Sequence, residues 1–343
     1  MRIRALTGFL ACSLALGVPS ACGGSDDASV APGGPDGGIT LAEGGVTSEG
    51  GSADGSTTTD GGPQPGACTG KVGAAGDKPI TMTVGGKERN LNLHVPASYD
   101  PTKRTPLVFV FHGYTMTADQ MASASHFAAA ADKHGMIAAF PNGISNSFNA
   151  GDCCGTASSS GVDDVAFTSA MIDKIEADYC VDVKRVFSAG FSNGGFFSYR
   201  LACDLSDRIA AVAPVAGGLR LDVAACRPKR PVPVLHIHGT SDLLVPFNGG
   251  GIGNAQPVSY SIDAFKTKNG CPAGAGKVVY TKDDVSCTKW DGCMANADVE
   301  LCTVTGGGHQ WPGGDTLPYG GSASPNLDSS ETIASFFEAH PLP

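Results

Sequence analysis

Short apolar runs rich in β-branched and aromatic residues alternate with longer helical patterns from about residue 68 onwards. Several of these runs are continuously apolar, as is typical of strands buried on both faces. Eight strands are predicted, at Ile80–Val84, Leu91–Val95, Leu107–Phe111, Met136–Phe140, Arg185–Ala189, Ile209–Val215, Val232–His238 and Val299–Val304. Because strands that alternate with helices form parallel sheets, we predict one α/β domain over residues 68–343, with a mostly parallel eight-stranded sheet and helices on both faces.

Five segments have the period of a helix. They are Ala118–His134, Asp164–Tyr179, Asn193–Cys203, Val258–Lys268 and Ser330–His340. Only residues 218–231 separate Gly217 from the strand that begins near Val232, which is too short a segment for a large cap domain. We therefore expect an open cleft.

The chain begins with the pattern of an export signal over residues 1–22. Arg2 and Arg4 precede an apolar run, Ala5–Val18, that is too short to stay as a membrane-spanning helix. Cys22 is followed by small and polar residues and resembles the lipidated cysteine of bacterial lipoproteins. Two alternatives follow. Either lipid on Cys22 holds the protein at the cell surface or outer membrane, or cleavage releases a secreted protein.

Residues 23–67 consist mainly of Gly, Ser, Thr, Asp and Pro. Such a segment buries too little apolar surface to offset the entropy of ordering, so a disordered linker is predicted. The formal net charge of −10 disfavours a nucleic-acid partner. No predicted helix is apolar all round, and we expect a monomer.

Twelve cysteines are many for a cytosolic enzyme and ordinary for an exported one. If Cys12 leaves with the leader and Cys22 carries lipid, an even number remains, which favours disulfides. The sequence contains no C-x-x-C pair, and no histidine cluster lies near the closely spaced Cys287 and Cys293, so we predict no metal site.

Gly190-Phe191-Ser192-Asn193-Gly194 lies directly after one predicted strand and directly before a predicted helix. A nucleophile at such a sharp turn needs small neighbours because the chain packs closely on both sides. The helix start also places the Asn193 N–H where it can stabilise an oxyanion. These features predict Ser192 as a nucleophile, rather than as an ordinary serine in a glycine-rich loop.

Serine is a poor nucleophile unless a base removes its proton. His309 follows the strand Val299–Val304 in a polar, glycine-rich loop, and we predict it as the base. The other histidines have simpler explanations, in strands (His94, His236, His238), in helices (His126, His134), near the terminus (His340) and in a loop discussed below (His112).

Asp242 is predicted to orient the base. It follows the strand Val232–His238 and precedes His309 by one strand, so the order is Ser, Asp, His, as the α/β-hydrolase fold requires. An Asx-type turn cap is the alternative interpretation of Asp242, and Asp283 and Asp284 are weaker candidates for the acid.

A second oxyanion donor is expected in the loop after the third strand. His112-Gly113-Tyr114-Thr115 lies there, and we predict that the Tyr114 N–H donates, with the Thr115 N–H as the alternative. We expect His112 to brace the loop.

Together these residues resemble the polyhydroxybutyrate depolymerase and feruloyl esterase family, grouped with carbohydrate esterase family one. The resemblance extends over nearly all of residues 68–343. It implies an α/β-hydrolase fold, ester hydrolysis through an acyl-enzyme and no cofactor. The motifs that carry it are His112-Gly113, Asn149–Gly155, Val162–Val165, the Ser192 turn, Pro233–Asp242 with Val245-Pro246, and Gly307–His309 with Trp311–Gly313.

Two positions depart from the family. Tyr114 stands where members often carry cysteine, and Phe148 stands where they often carry tryptophan. The family's preference for particular acyl groups therefore cannot be assigned to this chain. Trp311, two residues after the base, either stacks on an aromatic acid or sugar ring of the substrate or packs the loop that holds His309.

We expect an oligomeric or polysaccharide-linked ester as substrate. The alternatives are an acyltransferase that uses the same triad and a non-catalytic polymer-binding protein on a hydrolase scaffold. We also expect that Asp163 and Asp164 cap the next helix and that Cys153 and Cys154 bond to distant partners. The expected disulfides are Cys203–Cys226, Cys271–Cys293 and Cys287–Cys302, the last two stapling the loop before His309.

Overall fold

A computed structural model describes residues 68–343. Its strands are β1 (Gly76–Val84), β2 (Lys87–Val95), β3 (Thr105–Phe111), β4 (Ile137–Pro141), β5 (Val181–Phe191), β6 (Val212–Val215), β7 (Val234–Gly239), β8 (Lys277–Lys282), β9 (Val285–Trp290) and β10 (Val299–Val304). Its helices are α1 (Ala118–Ser125), α2 (Phe127–His134), α3 (Gly155–Ser159), α4 (Asp164–Asp178), α5 (Asn193–Asp204), α6 (Val258–Lys268) and α7 (Ser329–Glu338). The predicted leader, linker and Cys22 lie outside the described residues.

All these strands form one sheet, in the order β1-β2-β4-β3-β5-β6-β7-β10-β9-β8. The central strands from β4 to β10 run parallel, and antiparallel pairs extend the sheet at both ends. The carboxyl ends of the parallel strands therefore meet along one edge, where ligands bind in open α/β sheets.

Two apolar layers cover the sheet because the strand side chains alternate between its faces. Phe109 and Phe111 of β3 belong to one layer, and Val108 and Val110 belong to the other. The first layer includes side chains of α4, α5 and α6, and the second includes side chains of α1, α2 and α7. The predicted α/β-hydrolase architecture, with helices on both faces, is confirmed.

The predicted number of eight strands is wrong, because β8 and β9 add an antiparallel hairpin beside β10. Every residue of β8 is exposed, so its sequence lacks the alternation of apolar and polar residues that marks a half-buried strand. The pair Asp283-Asp284, a turn signal between two short runs that contain β-branched and aromatic residues, was a sign of a hairpin.

The predicted helix Ala118–His134 is two helices, because His126 adopts a left-handed conformation with φ of 55°. The first of them, α1, begins with a capping box in which Thr117 and Gln120 satisfy each other's backbone N–H groups. No helix lies between β6 and β7 in this part of the chain, so the expected absence of a large cap holds there.

Five disulfides join the ten cysteines of residues 68–343 and support an oxidising, extracellular environment. The three expected pairs, Cys203–Cys226, Cys271–Cys293 and Cys287–Cys302, are present. Cys287 and Cys302 face each other on β9 and β10, so their bond joins two strands rather than stapling a loop.

The expectation that Cys153 and Cys154 bond to distant partners is wrong. These neighbours bond to each other across a cis peptide, with their Cα atoms 3.1 Å apart, and Cys68 bonds to Cys180. None of the helices in residues 68–343 is both long and apolar enough to cross a bilayer.

Candidate active site

Ser192 lies at the sharp turn between β5 and α5. Its φ of 53° and ψ of −114° place a non-glycine residue in a strained conformation. Its N–H donates to Val215 O at 2.8 Å and its carbonyl accepts from Phe196 N at 2.9 Å, so both the sheet and the helix fix the strained residue. This is the geometry of a nucleophile turn.

The flanking glycines are required by close backbone contacts. A Cβ atom on Gly190 would lie 2.3 Å from Gly194 O, and one on Gly194 would lie 2.1 Å from Phe111 O. Any side chain at either position would therefore push the turn away from the sheet.

His309 hydrogen-bonds Asp242, as the order of the residues predicts. The distance from His309 Nδ1 to Asp242 Oδ2 is 2.7 Å. The other carboxylate oxygen, Oδ1, accepts the N–H groups of Leu244 at 2.9 Å and Val245 at 2.8 Å. Asp242 therefore makes the predicted contact with His309 and also caps its own turn.

The carboxyl of Asp242 is 2% exposed. Burial alone would raise its pKa, but hydrogen bonds from His238, His309 and the Val245 N–H outweigh this effect and hold the pKa well below its usual range. The ionised carboxylate fixes the proton of His309 on Nδ1, which leaves the Nε2 lone pair free to act as a base.

Ser192 and His309 line the same cavity of about 560 Å³. The ring of Phe191 packs against the imidazole with 4.8 Å between centroids, which limits where His309 can turn. No described residue hydrogen-bonds the Ser192 hydroxyl. Such bonds between nucleophile and base often tighten only when substrate binds.

The loop after β3 runs directly beside Ser192. A Cβ atom on Gly113 would lie 3.4 Å from Ser192 Cβ. The Thr115 N–H donates to Asn146 O at 2.9 Å and is occupied, whereas within residues 68–343 the N–H groups of Tyr114 and Asn193 have no acceptor. The geometry thus favours Tyr114 over the alternative donor, Thr115.

His112 braces this loop, as expected. Its Nε2 accepts the Gly143 N–H at 3.0 Å, so Nδ1 carries the proton and donates to Gly113 O at 2.7 Å. Burial lowers the pKa of His112 to about 4, although the hydrogen bond to Gly113 opposes this shift. The ring is therefore neutral at pH 7 and keeps both hydrogen bonds.

Apolar side chains form most of the cavity wall. They belong to the loops after β3, after β7 and after β10, and include Tyr114, Met116, Leu244, Ile252, Leu317 and Tyr319. Apart from Tyr114, these residues were not predicted from the sequence, because their loops have no periodic pattern. Tyr319 is 89% exposed at the edge of the cavity.

Trp311 does not line the cavity. It is 1% exposed, and its indole N–H donates to Ser330 Oγ at 3.1 Å. The predicted stacking of Trp311 on a substrate is therefore wrong, and the alternative interpretation, that it packs the loop that holds His309, describes the structure.

Asp163 caps α4 by accepting the Ala166 N–H at 2.8 Å, whereas Asp164 has a different partner. The Asp164 carboxylate is buried, pairs with Arg89 at 2.6 Å and accepts the Asn149 N–H at 2.7 Å. It thereby anchors the Asn149–Gly155 loop beside the site.

One group of potential metal ligands occurs within residues 68–343, formed by Cys287, Glu300 and Cys302. Both sulfur atoms belong to the disulfide between β9 and β10. A thiolate is the form of cysteine that binds metal, so this group has no cysteine ligand to offer.

Comparison with known proteins agrees with this arrangement. Residues 91–226 match the family model described as Esterase PHB depolymerase. Feruloyl esterase B of Piromyces equi is 34% identical over 64% of this chain and 42% of its own length, so the chain spans less than half of that relative. The putative esterase NocK of Nocardia uniformis subsp. tsuyamanensis is 32% identical over 74% of this chain and 80% of its own length.

A solved structure, the acetyl xylan esterase from Aspergillus awamori, has a TM-score of 0.54 and 13% identity. The similarity covers 76% of this chain and 99% of the other. At 13% identity, this similarity is evidence for a shared fold alone. The family model and the relatives show that the chain belongs to the α/β-hydrolase esterase family that includes the polyhydroxybutyrate depolymerases and the feruloyl esterases.

Proposed function

We propose that this chain is an exported serine carboxylic-ester hydrolase with Ser192 as nucleophile, His309 as base and Asp242 as the acid that orients the base. The observation that carries the proposal is the hydrogen bond between His309 Nδ1 and Asp242 Oδ2 at the wall of the cavity that Ser192 also lines. The strained turn at Ser192 exposes its hydroxyl there.

In the proposed reaction, His309 Nε2 takes the hydroxyl proton as Ser192 Oγ attacks the ester carbonyl. The protonated imidazole then donates that proton to the leaving alcohol, and an acyl-enzyme remains on Ser192. Water repeats the sequence with the same base and releases the acid. The N–H groups of Tyr114 and Asn193 stabilise the oxyanion in both halves.

The cavity supports an ester with an apolar or aromatic acyl group. Its volume suits a ligand of the size of a hydroxycinnamate or a short hydroxyacid oligomer. Tyr114 and Tyr319 offer aromatic faces at its edge. The name feruloyl esterase, carried by a relative, supports a phenolic acyl group. The alcohol that we propose is oligomeric or polysaccharide-linked.

The test is hydrolysis of methyl ferulate, acetylated xylan, p-nitrophenyl butyrate and a hydroxybutyrate trimer by the wild type and by Ser192→Ala. We expect hydrolysis of at least one ester, and a loss of roughly a thousandfold or more in the alanine variant. Binding of ferulate oligosaccharide without turnover by the wild type would contradict hydrolysis and favour a binding protein.

Acyl transfer uses the same acyl-enzyme and is separated by product analysis. If acyl groups accumulate on an added sugar in preference to water, the enzyme is a transferase. Release of free acid in the presence of the sugar supports hydrolysis.

The proposal for location rests on the leader, on the five disulfides and on Cys22. We propose a monomer that is attached to the cell surface or outer membrane through lipid on Cys22, with a secreted form as the alternative. Wild type and Cys22→Ala are compared by detergent-phase partition and by mass. Lipid loss and release into the medium in the variant support attachment, whereas soluble wild type without added lipid mass contradicts it.

A further inference from the structure

A chain of buried polar side chains leads from α5 to the acid of the proposed triad. Tyr199 Oη lies 2.8 Å from His236 Nδ1, and His236 Nε2 lies 3.0 Å from His238 Nδ1. His238 Nε2 lies 3.4 Å from Asp242 Oδ2 and 2.8 Å from Val245 O. No member of the chain is more than 2% exposed.

The hydrogen-bond partners determine where each proton lies. Val245 O can only accept, so His238 Nε2 carries a proton, and in the Nε2–H tautomer of His238 the Nδ1 atom is an acceptor. His236 Nε2 therefore donates to His238, and His236 Nδ1 accepts from the Tyr199 hydroxyl. Each donor thus points along the chain from Tyr199 to His238, whose Nε2–H donates to Val245 O and lies 3.4 Å from Asp242 Oδ2.

Burial keeps the middle of this chain uncharged. Burial, together with the proximity of His238, holds the pKa of His236 well below its ordinary value, and burial raises the pKa of the Tyr199 phenol. A neutral His236 has one donor and one acceptor nitrogen, which is what the observed contacts need.

We infer that His238 is a positioning residue for the acid, and that Tyr199 and His236 fix the tautomer of His238 in which its Nε2–H faces Asp242. The inference rests on the proposed triad and extends it. Asp242 Oδ1 is held by two backbone N–H groups, and Oδ2 lies close to both His309 and His238. The carboxylate is thus prevented from turning away from His309.

The opposite tautomer of His238 would place a lone pair against both Val245 O and the carboxylate. The hydrogen bond from His236 disfavours that tautomer, because His238 Nδ1 must then accept. Tyr199 belongs to the helix that begins after Ser192, so the chain also joins the nucleophile helix to the acid through the core.

The test compares His238→Phe, His238→Gln and Tyr199→Phe with His340→Phe as a control for losing a buried histidine. His340 is 3% exposed, bonds to Phe336 O and does not line the cavity. Steady-state kinetics give kcat and KM on the best ester, and thermal unfolding gives the Tm. The low-field proton resonance of His309 Nδ1–H reports its bond to Asp242.

We expect His238→Phe to lower kcat by about 10- to 100-fold with little change in KM, and to shift or broaden the His309 resonance. His238→Gln keeps an N–H at the position of Nε2 and restores most of kcat. Tyr199→Phe lowers kcat a few-fold. His340→Phe lowers the Tm but leaves kcat and the resonance unchanged.

Wild-type kcat and an unchanged resonance in His238→Phe would overturn the inference. So would equal losses of kcat in His238→Phe and His340→Phe, since the effect would then be one of general stability. Ser192→Ala is measured in parallel. If it stays active, the proposed triad fails and the inference fails with it, whereas an inactive Ser192→Ala beside a fully active His238→Phe removes only the inference.

Discussion

The side chain of Asn193 forms two hydrogen bonds with the backbone of Phe148. Its Oδ1 accepts the Phe148 N–H at 2.7 Å, and its Nδ2 donates to the Phe148 carbonyl at 2.9 Å. Asn193 is fully buried. The residue whose N–H is the proposed oxyanion donor is therefore held by the loop that begins at Phe148.

Asn193→Ala leaves both backbone groups of Phe148 buried without a partner. Each unsatisfied group costs about 1–3 kcal/mol, so the free energy of unfolding falls, as measured by urea denaturation. We also expect kcat to fall by more than about tenfold, because the oxyanion donor loses its support. Asn326→Ala, which removes a bond to Asp284, is the control and keeps wild-type kcat. An Asn193→Ala variant with wild-type kcat would show that the loop does not position the donor.

Asp242→Asn tests the acid. The amide can no longer stabilise an imidazolium and favours the wrong tautomer of His309, so kcat falls by about 10⁴ while the fold is kept. Asp283→Asn is the matched control, since Asp283 has a positive φ of 47° that asparagine also adopts. The measurement is the initial rate of hydrolysis of the best ester by Asp242→Asn and by Asp283→Asn. Loss of activity in Asp283→Asn alone would reassign the acid.

The order and spacing of Ser192, Asp242 and His309 could be predicted because each follows a strand with a clear apolar pattern. Strand order then brings their loops to one edge of the sheet. The edge strand β8 was not predicted, because all of its residues are exposed and it lacks that pattern. Its partner β9 was not predicted because it buries only part of one face. The residues of the cavity wall, such as Leu317, were not predicted because their positions depend on how loops distant in sequence pack against each other.

The role proposed for His238 also could not be predicted from the sequence. A histidine within an apolar strand pattern does not reveal which side chain it contacts. The contact between His238 and Asp242 depends on how the chain turns after β7. Trp311 illustrates a second limit of prediction from sequence. Its proximity to His309 in the sequence does not determine whether its side chain faces the cavity or the core.

Stability should depend on pH through His112. Its pKa is lowered from 6.5 to about 4 in the folded protein, so between these values the unfolded state binds a proton that the folded state does not. This contribution to stability is fully present above pH 6.5 and is lost as pH falls through about 4. In urea unfolding, His112→Gln should reduce the slope of unfolding free energy against pH by up to about 1.4 kcal/mol per unit. Equal slopes for the wild type and His112→Gln would show that His112 does not cause this pH dependence.

Tyr319 should set the preference for aromatic esters. Its ring is 89% exposed at the cavity edge, where it can stack on a phenolic group without touching the reacting carbonyl. Tyr319→Ala should therefore raise KM for methyl ferulate several-fold with little change in kcat, and leave KM for an acetyl ester unchanged. Tyr280→Ala, on the edge strand β8 and outside the cavity wall, removes a similar ring and should change neither value. If Tyr319→Ala raises KM equally for both esters, the ring contacts the alcohol side of the substrate or shapes the entrance, and the phenolic acyl group is recognised elsewhere.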